Sequence, residues 1–129
     1  MTTTPRPGSA ALVARGVRKR CPVCGERKIW LSWGTLKPEC PRCEFRFERE
    51  SGYWVGAIIV NIALAEALFA LTFVPTLIAT APEVPWQPLA IVALVTQAIV
   101  PVWFYPRSKT TWLGFDLVFN PRRGTDSGY

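Results

Sequence analysis

Residues 53–80 read YWVGAIIVNIALAEALFALTFVPTLIAT and carry a single charge, Glu66, in 28 residues. At about 1.5 Å per residue, a helix of that length exceeds the roughly 30 Å hydrocarbon core of a bilayer. The stretch therefore predicts a first transmembrane helix over 51–80, with Pro75 favouring a kink near its far end. Residues 81–88, APEVPWQP, are rich in proline, cannot continue a helix and predict a short extracytoplasmic turn. A second apolar run over 89–105, extendable back to Trp86, supplies a second span. The expected fold is a membrane all-α hairpin of two transmembrane helices carrying a small N-terminal module. A buried helix pair in a soluble protein is disfavoured, because no other part of the chain can cover two such helices.

Charge is divided sharply around these runs. Residues 1–50 hold 11 of the 15 Lys and Arg, whereas residues 51–106 hold none and only two acids, Glu66 and Glu83. Basic residues flank both outer ends of the hairpin, with Arg42, Arg46 and Arg49 before it and Arg107 and Lys109 after it. The turn has none, so both termini are expected to be cytoplasmic. Tyr53, Trp54, Trp86, Trp103 and Tyr105 fall where aromatic belts form. Within the spans, Glu66 and Gln97 are expected at one depth. Gly52, Gly56, Ala63, Ala67 and Ala70 share a stripe with Glu66, and Ala90, Ala93 and Pro101 share one with Gln97. Such small-residue seams let helices approach closely, within one hairpin or between copies in a homo-oligomer. In this reading Glu66 bonds Gln97 and holds the hairpin, or serves as a partner-binding or proton-carrying carboxyl.

Ahead of the first span lie the chain's four cysteines, Cys21, Cys24, Cys40 and Cys43, in two Cys-x-x-Cys pairs. Four thiolates at this spacing close a tetrahedron around one ion. Residues 20–50 are too few to build a sufficient core alone, so a metal staple is physically required. Residues 28–37, KIWLSWGTLK, predict a hairpin between the knuckles, giving a zinc-ribbon or rubredoxin-like β module. One structural zinc per chain is expected, with iron the lesser alternative, since both take a tetrahedral set of four sulfurs. A cytoplasmic site disfavours disulfides. Gly25 suits the positive φ that such a knuckle needs, whereas the second knuckle places Glu44 there. Residues 1–19 read as a flexible basic arm, 106–121 as a membrane-surface segment, helical and amphipathic, and 122–129 as a flexible tail. An alternative for 106–121 is packing on the ribbon over Trp30 and Trp33.

These motifs resemble a known family. Cys-Pro-x-Cys, the second pair, then Phe47-Glu48-Arg49-Glu50-Ser51-Gly52-Tyr53-Trp54-Val55-Gly56-Ala57 leading into a span with Asn61 are similar to bacterial membrane proteins called domain of unknown function family 983. Pro106, Arg107, Ser108, Lys109, Trp112, Leu113, Asp116 and Pro121 extend the resemblance over residues 20–121. Glu44 departs from the family's usual glycine. The resemblance implies a two-span inner-membrane protein with a zinc-ribbon-like head and no established activity. Some relatives are encoded near haem–copper oxidase genes, which implies an accessory or assembly role for a respiratory complex.

Read physically, Glu48, Arg49, Glu50, Gly52, Tyr53 and Gly56 form an interfacial motif where ribbon meets bilayer. Arg49 reaches headgroups, and Glu48 or Glu50 pairs with Arg46 or with the C-terminal basic residues. The chain has no histidine, and no Ser–His, Cys–His, phosphate-loop or paired-carboxylate arrangement appears, so no enzyme is expected. A non-enzymatic scaffold that docks a membrane protein partner is the expected function, with a membrane-anchored rubredoxin-like electron carrier as the alternative. Nucleic acid is disfavoured, because the head's excess charge is modest and partly offsets the thiolates.

Overall fold

The computed structural model describes residues 7–48 and 50–120. Five elements follow in order: α1 (Ser9–Val17), β1 (Trp30–Ser32), β2 (Thr35–Leu36), α2 (Val55–Thr80) and α3 (Trp86–Phe119). The two long helices are antiparallel neighbours, and the remaining elements gather at the end of the pair where α2 begins and α3 ends.

α1 occupies the stretch expected to be a flexible arm. Its alanines favour helix, but nine residues alone would be marginal, so its order comes from docking. Leu12 and Gly16 are its buried residues. A Cβ on Gly16 would overlap the Thr110 carbonyl, and one on Gly114 would lie 2.7 Å from the Leu12 carbonyl oxygen. Two glycines, far apart in sequence, thus let the α1 and α3 backbones touch. α1 ends in a left-handed residue, Lys19 (φ 62°), with Lys19 N–H bonding the Gly16 carbonyl and Arg20 N–H the Arg15 carbonyl. This Schellman closure satisfies the last carbonyls and turns the chain into the first knuckle.

β1 and β2 form the expected hairpin, antiparallel, with Trp30 opposite Leu36 and Ser32 opposite Thr35 across a register shift. The head's core is continuous with the helices. Cys21, Ile29, Leu36, Cys40, Phe45, Phe47 and Tyr53 cluster with Leu12 of α1 and Leu113 and Leu117 of α3. Full burial of Ile29, Phe45, Phe47 and Leu113 contributes about 2–3 kcal/mol each.

α2 and α3 are long and apolar enough to cross a membrane. α2 runs on through Pro75, and α3 through Pro101 and Pro106. The expected break after residue 105 is therefore absent. Residues 106–119 continue α3 as helix, and Ser108, Thr110, Thr111, Leu113, Gly114, Asp116 and Leu117 are buried within the head. Rather than standing apart, this segment packs against α1 and the ribbon core, with Leu113 and Leu117 in the shared cluster. The helix also begins at Trp86, shortening the predicted turn to residues 81–85. The tail expected over 122–129 lies outside the described residues.

Asn61 sets the helix seam. Its Nδ2 donates to the Pro101 carbonyl at 3.0 Å. Gly56, Ala57, Asn61 and Ala65 are the buried residues of α2, a stripe spaced by about four. The expected seam through Ala63, Glu66, Ala67 and Ala70 is turned outward, since all four are exposed. Gly56 is the residue common to both stripes. It lies against the Trp112 ring, where any Cβ would overlap the indole.

Candidate metal centre

The four sulfurs lie within 4.8 Å of one another. Cys21 Sγ is 3.7 Å from Cys43 Sγ, and Cys24 Sγ is 3.5 Å from Cys40 Sγ. A disulfide needs about 2.05 Å, so these are free thiols rather than bridges. An ion about 2.3 Å from each sulfur sets tetrahedral edges of about 3.8 Å, which matches both pairs. The four thiols are thus close enough together to hold one tetrahedral ion.

The two knuckles are copies of one backbone turn. In the first, Gly25 N–H bonds the Cys21 carbonyl at 2.9 Å and Cys21 N–H bonds the Glu26 carbonyl at 2.8 Å. In the second, Glu44 N–H bonds the Cys40 carbonyl at 2.9 Å and Cys40 N–H bonds the Phe45 carbonyl at 3.0 Å. Gly25 has φ +79° and Glu44 has φ +58°. Glu44 therefore adopts the glycine-favouring conformation rather than a different turn, at a cost of about 1–2 kcal/mol for an L-residue.

Charge around the cluster is arranged by α1. Arg15 Nη1 donates to the Val23 carbonyl at 2.8 Å and the Pro22 carbonyl at 3.3 Å, spanning the first knuckle from outside. Trp30 Nε1 donates to the Lys19 carbonyl at 3.1 Å, and the Lys19 ammonium lies over the Trp30 ring. The Glu26 carboxylate accepts from the N–H groups of Lys28 and Arg27, which hold its pKa below the usual range. Cys21 and Cys43 share a sulfur–sulfur hydrogen bond, which raises the Cys21 pKa and lowers that of Cys43 to about 5. Burial, ahead of its sulfur neighbours, raises Cys24 to about 11.

The interfacial motif divides into parts with different fates. Tyr53 is buried, and its hydroxyl donates to Asp116 Oδ2 at 2.9 Å, while Asn120 Nδ2 donates to Asp116 Oδ1 at 3.0 Å. Tyr53 thus ties the start of α2 to the end of α3 instead of joining a lipid-facing belt. Gly52 takes φ +83° in the turn entering α2. Glu48 and Glu50 are exposed and line a shallow concavity with Pro38, Arg46 and Ser51. Arg46 pairs with Glu39 at 3.5 Å. Arg49 lies outside the described residues.

Glu66 and Gln97 are not joined by a hydrogen bond among the described residues. The Asn61–Pro101 bond fixes an antiparallel register that brings residues 65–66 level with 96–97. Level along the helix pair, the two differ in the side of the helix they occupy. Ala65 faces the seam, and Glu66, one residue on, is exposed. Within the spans it is Asn61 that bonds across, to the Pro101 carbonyl, among the described residues.

Contacts from α1 and from Lys109 were missed from sequence. Lys109 Nζ donates to the Gly34 carbonyl at 2.8 Å and lies over the Trp54 and Tyr105 rings, pinning the hairpin tip onto α3. The available signals were Gly16 and Gly114 inside helical patterns, which mark close backbone approach.

A family model described as protein of unknown function (DUF983) matches residues 31–116, covering the second cysteine pair, all of α2 and α3 as far as Asp116. The first pair, Cys21 and Cys24, precedes the matched segment. No curated protein and no solved structure matches the chain. With two thirds of its length matched, the chain belongs to the DUF983 family.

Proposed function

We propose that this chain is a non-enzymatic membrane scaffold of the bacterial inner membrane. Its zinc-knotted head, on the cytoplasmic side with both termini, docks a protein partner. The observation carrying the membrane assignment is the outward apolar surface of α2 and α3. Only 17% and 6% of their most apolar windows are buried, whereas the core helix of a soluble protein is mostly covered. The hydroxyls of Thr72, Thr76, Thr80 and Thr96 each donate to the carbonyl four residues earlier, so none requires water. Basic residues lie at the head end and not at the turn, which favours a cytoplasmic head.

The scaffold role is supported by the closed metal site. Four sulfurs fill a tetrahedral set, leaving no position for a substrate or reactive water. Glu66, exposed at mid-span, favours a membrane-embedded partner. An acid facing lipid is expensive, and a partner helix supplying a donor, from another protein or a second copy, removes that cost. A role in assembling a respiratory complex draws its support from the family resemblance alone.

Mild-detergent purification of the untagged-head protein from native membranes, with mass spectrometry and metal analysis, tests this reading. A reproducible stoichiometric partner and one zinc per chain are expected. Recovery of the bare chain in several detergents would remove the scaffold role, and coloured, iron-loaded protein would favour electron transfer instead.

A further inference from the structure

We infer that the tip of the β1–β2 hairpin is a membrane anchor, which inserts Leu31 and Trp33 into the lipid interface and holds the metal head flat against the bilayer. This rests on the membrane-spanning reading above and adds a lipid contact from outside the two helices.

The level of the interface can be read from the helices. On α2, outward apolar exposure begins at Val55. On α3 the outward run ends at Trp103, with Phe104 buried, and exposure returns only on the head itself, at Phe115 and Phe119. A plane through Val55 and Trp103 therefore separates the lipid-facing surface from the head. Tyr105 lies two residues past that plane, about 3 Å along the axis, and Lys109 one further turn beyond. The hairpin tip touches α3 at these two points. The Gly34 carbonyl accepts from Lys109, and the Trp33 ring stacks on Tyr105 at 6.0 Å. The Trp33 ring and the Gly34 backbone, where a Cβ would lie 3.1 Å from the Tyr105 ring, therefore both sit at the level of Tyr105.

Exposure at the tip has no explanation inside the head. Trp33 is 58% exposed and Leu31 is 65% exposed, although apolar core lies a few residues away. At the same end of the span, on the side of α3 away from Tyr105, Trp103 is 58% exposed with the Arg107 guanidinium stacked over it at 4.1 Å. Arg107 and Lys109 place cations just above the plane, and Trp33, Tyr105 and Trp103 place aromatic rings at it. That layering, apolar below, aromatic at the boundary and cationic above, matches a phospholipid headgroup zone. A lipid surface is therefore the occupant that the placement fits.

The test uses the full-length, zinc-loaded chain in vesicles of phosphatidylethanolamine and phosphatidylglycerol. A photoreactive phenylalanine is placed singly at positions 31, 33, 94 and 42, and lipid adducts are read by mass spectrometry. Leu94 is exposed in mid-span, and Arg42 is exposed in the second knuckle. Adducts at 31 and 33 exceeding those at 42 by about an order of magnitude, with adducts at 94, are the expected result. Adducts at 94 without adducts at 31 or 33 overturn the anchor while leaving the spanning helices intact. Absence at all four positions overturns both. Equal adducts at 31, 33 and 42 also overturn it, because the contact would then not be confined to the tip.

Discussion

Glu44 shows how a metal turn dictates backbone before it dictates sequence. Its φ of +58° duplicates that of Gly25, and its N–H makes the same bond to the first cysteine of its knuckle. Glu44→Gly is expected to stabilise the metal-loaded protein by about 0.5–1 kcal/mol, the relief of left-handed strain less the added chain entropy, measured by thermal melting in detergent. Unchanged or lower stability would show that the turn tolerates the L-residue without cost. Protons at the neighbouring thiols set a second expectation. Metal binding requires thiolates, so it must displace the proton that burial holds on Cys24 up to about 11 and the one shared between Cys21 and Cys43. At least about two protons leave per ion, so log affinity should rise by at least about two per pH unit between pH 6 and 8. Competition with a chromophoric chelator checks the slope. For the metal-free head the sign reverses. The neutral Cys24 thiol contributes stability that is whole below its ordinary value of 9.0 and is lost as pH rises through about 11.

At the scale of elements, the consequential contact is α1 on α3. Gly16→Ala drives a methyl into the Thr110 carbonyl, and Gly114→Ala places one 2.7 Å from the Leu12 carbonyl, both rigid backbone. Each is expected to cost about 1–3 kcal/mol and to expose α1 to protease, while Gly8→Ala, with nothing within 4 Å of its Cβ, stays within about 0.5 kcal/mol. Limited proteolysis and melting curves decide it, and an intact α1 in Gly16→Ala would mean that the helix docks elsewhere. The same crossing explains why α1 was illegible in sequence. Nine residues ahead of the first cysteine carry no pattern strong enough to declare a helix, and the surface that orders them arrives 94 to 102 residues later. Residues 106–119 failed for the mirror reason. Their apolar side chains do not fall on one stripe because ribbon and α1 cover different sides.

For the whole molecule, metal and helices should separate in their responses. The head's core joins cysteine loops to Leu12, Leu113 and Leu117, whereas α2 and the span half of α3 draw little from it. Chelation is expected to abolish the near-ultraviolet dichroism of Trp30 and Trp33 while most far-ultraviolet helical signal survives, with zinc restoring the former. Persistence of both signals in metal-free protein would show that apolar packing alone sustains the head.

The sequence by itself determined the two long apolar helices, the four cysteines as one set and the hairpin between them. Each follows from short-range period, composition or spacing, which neighbours in the fold cannot change. Only the tertiary structure decided which face of α2 meets α3. A turn of one residue moves Ala65 into the seam and Glu66 out of it, and apolar residues surround the whole helix, leaving no stripe to read. It likewise decided that Lys109 clasps Gly34 and that Tyr53 reaches Asp116, because such bonds form between groups 63 to 75 residues apart, brought together only when both helices and ribbon share one core.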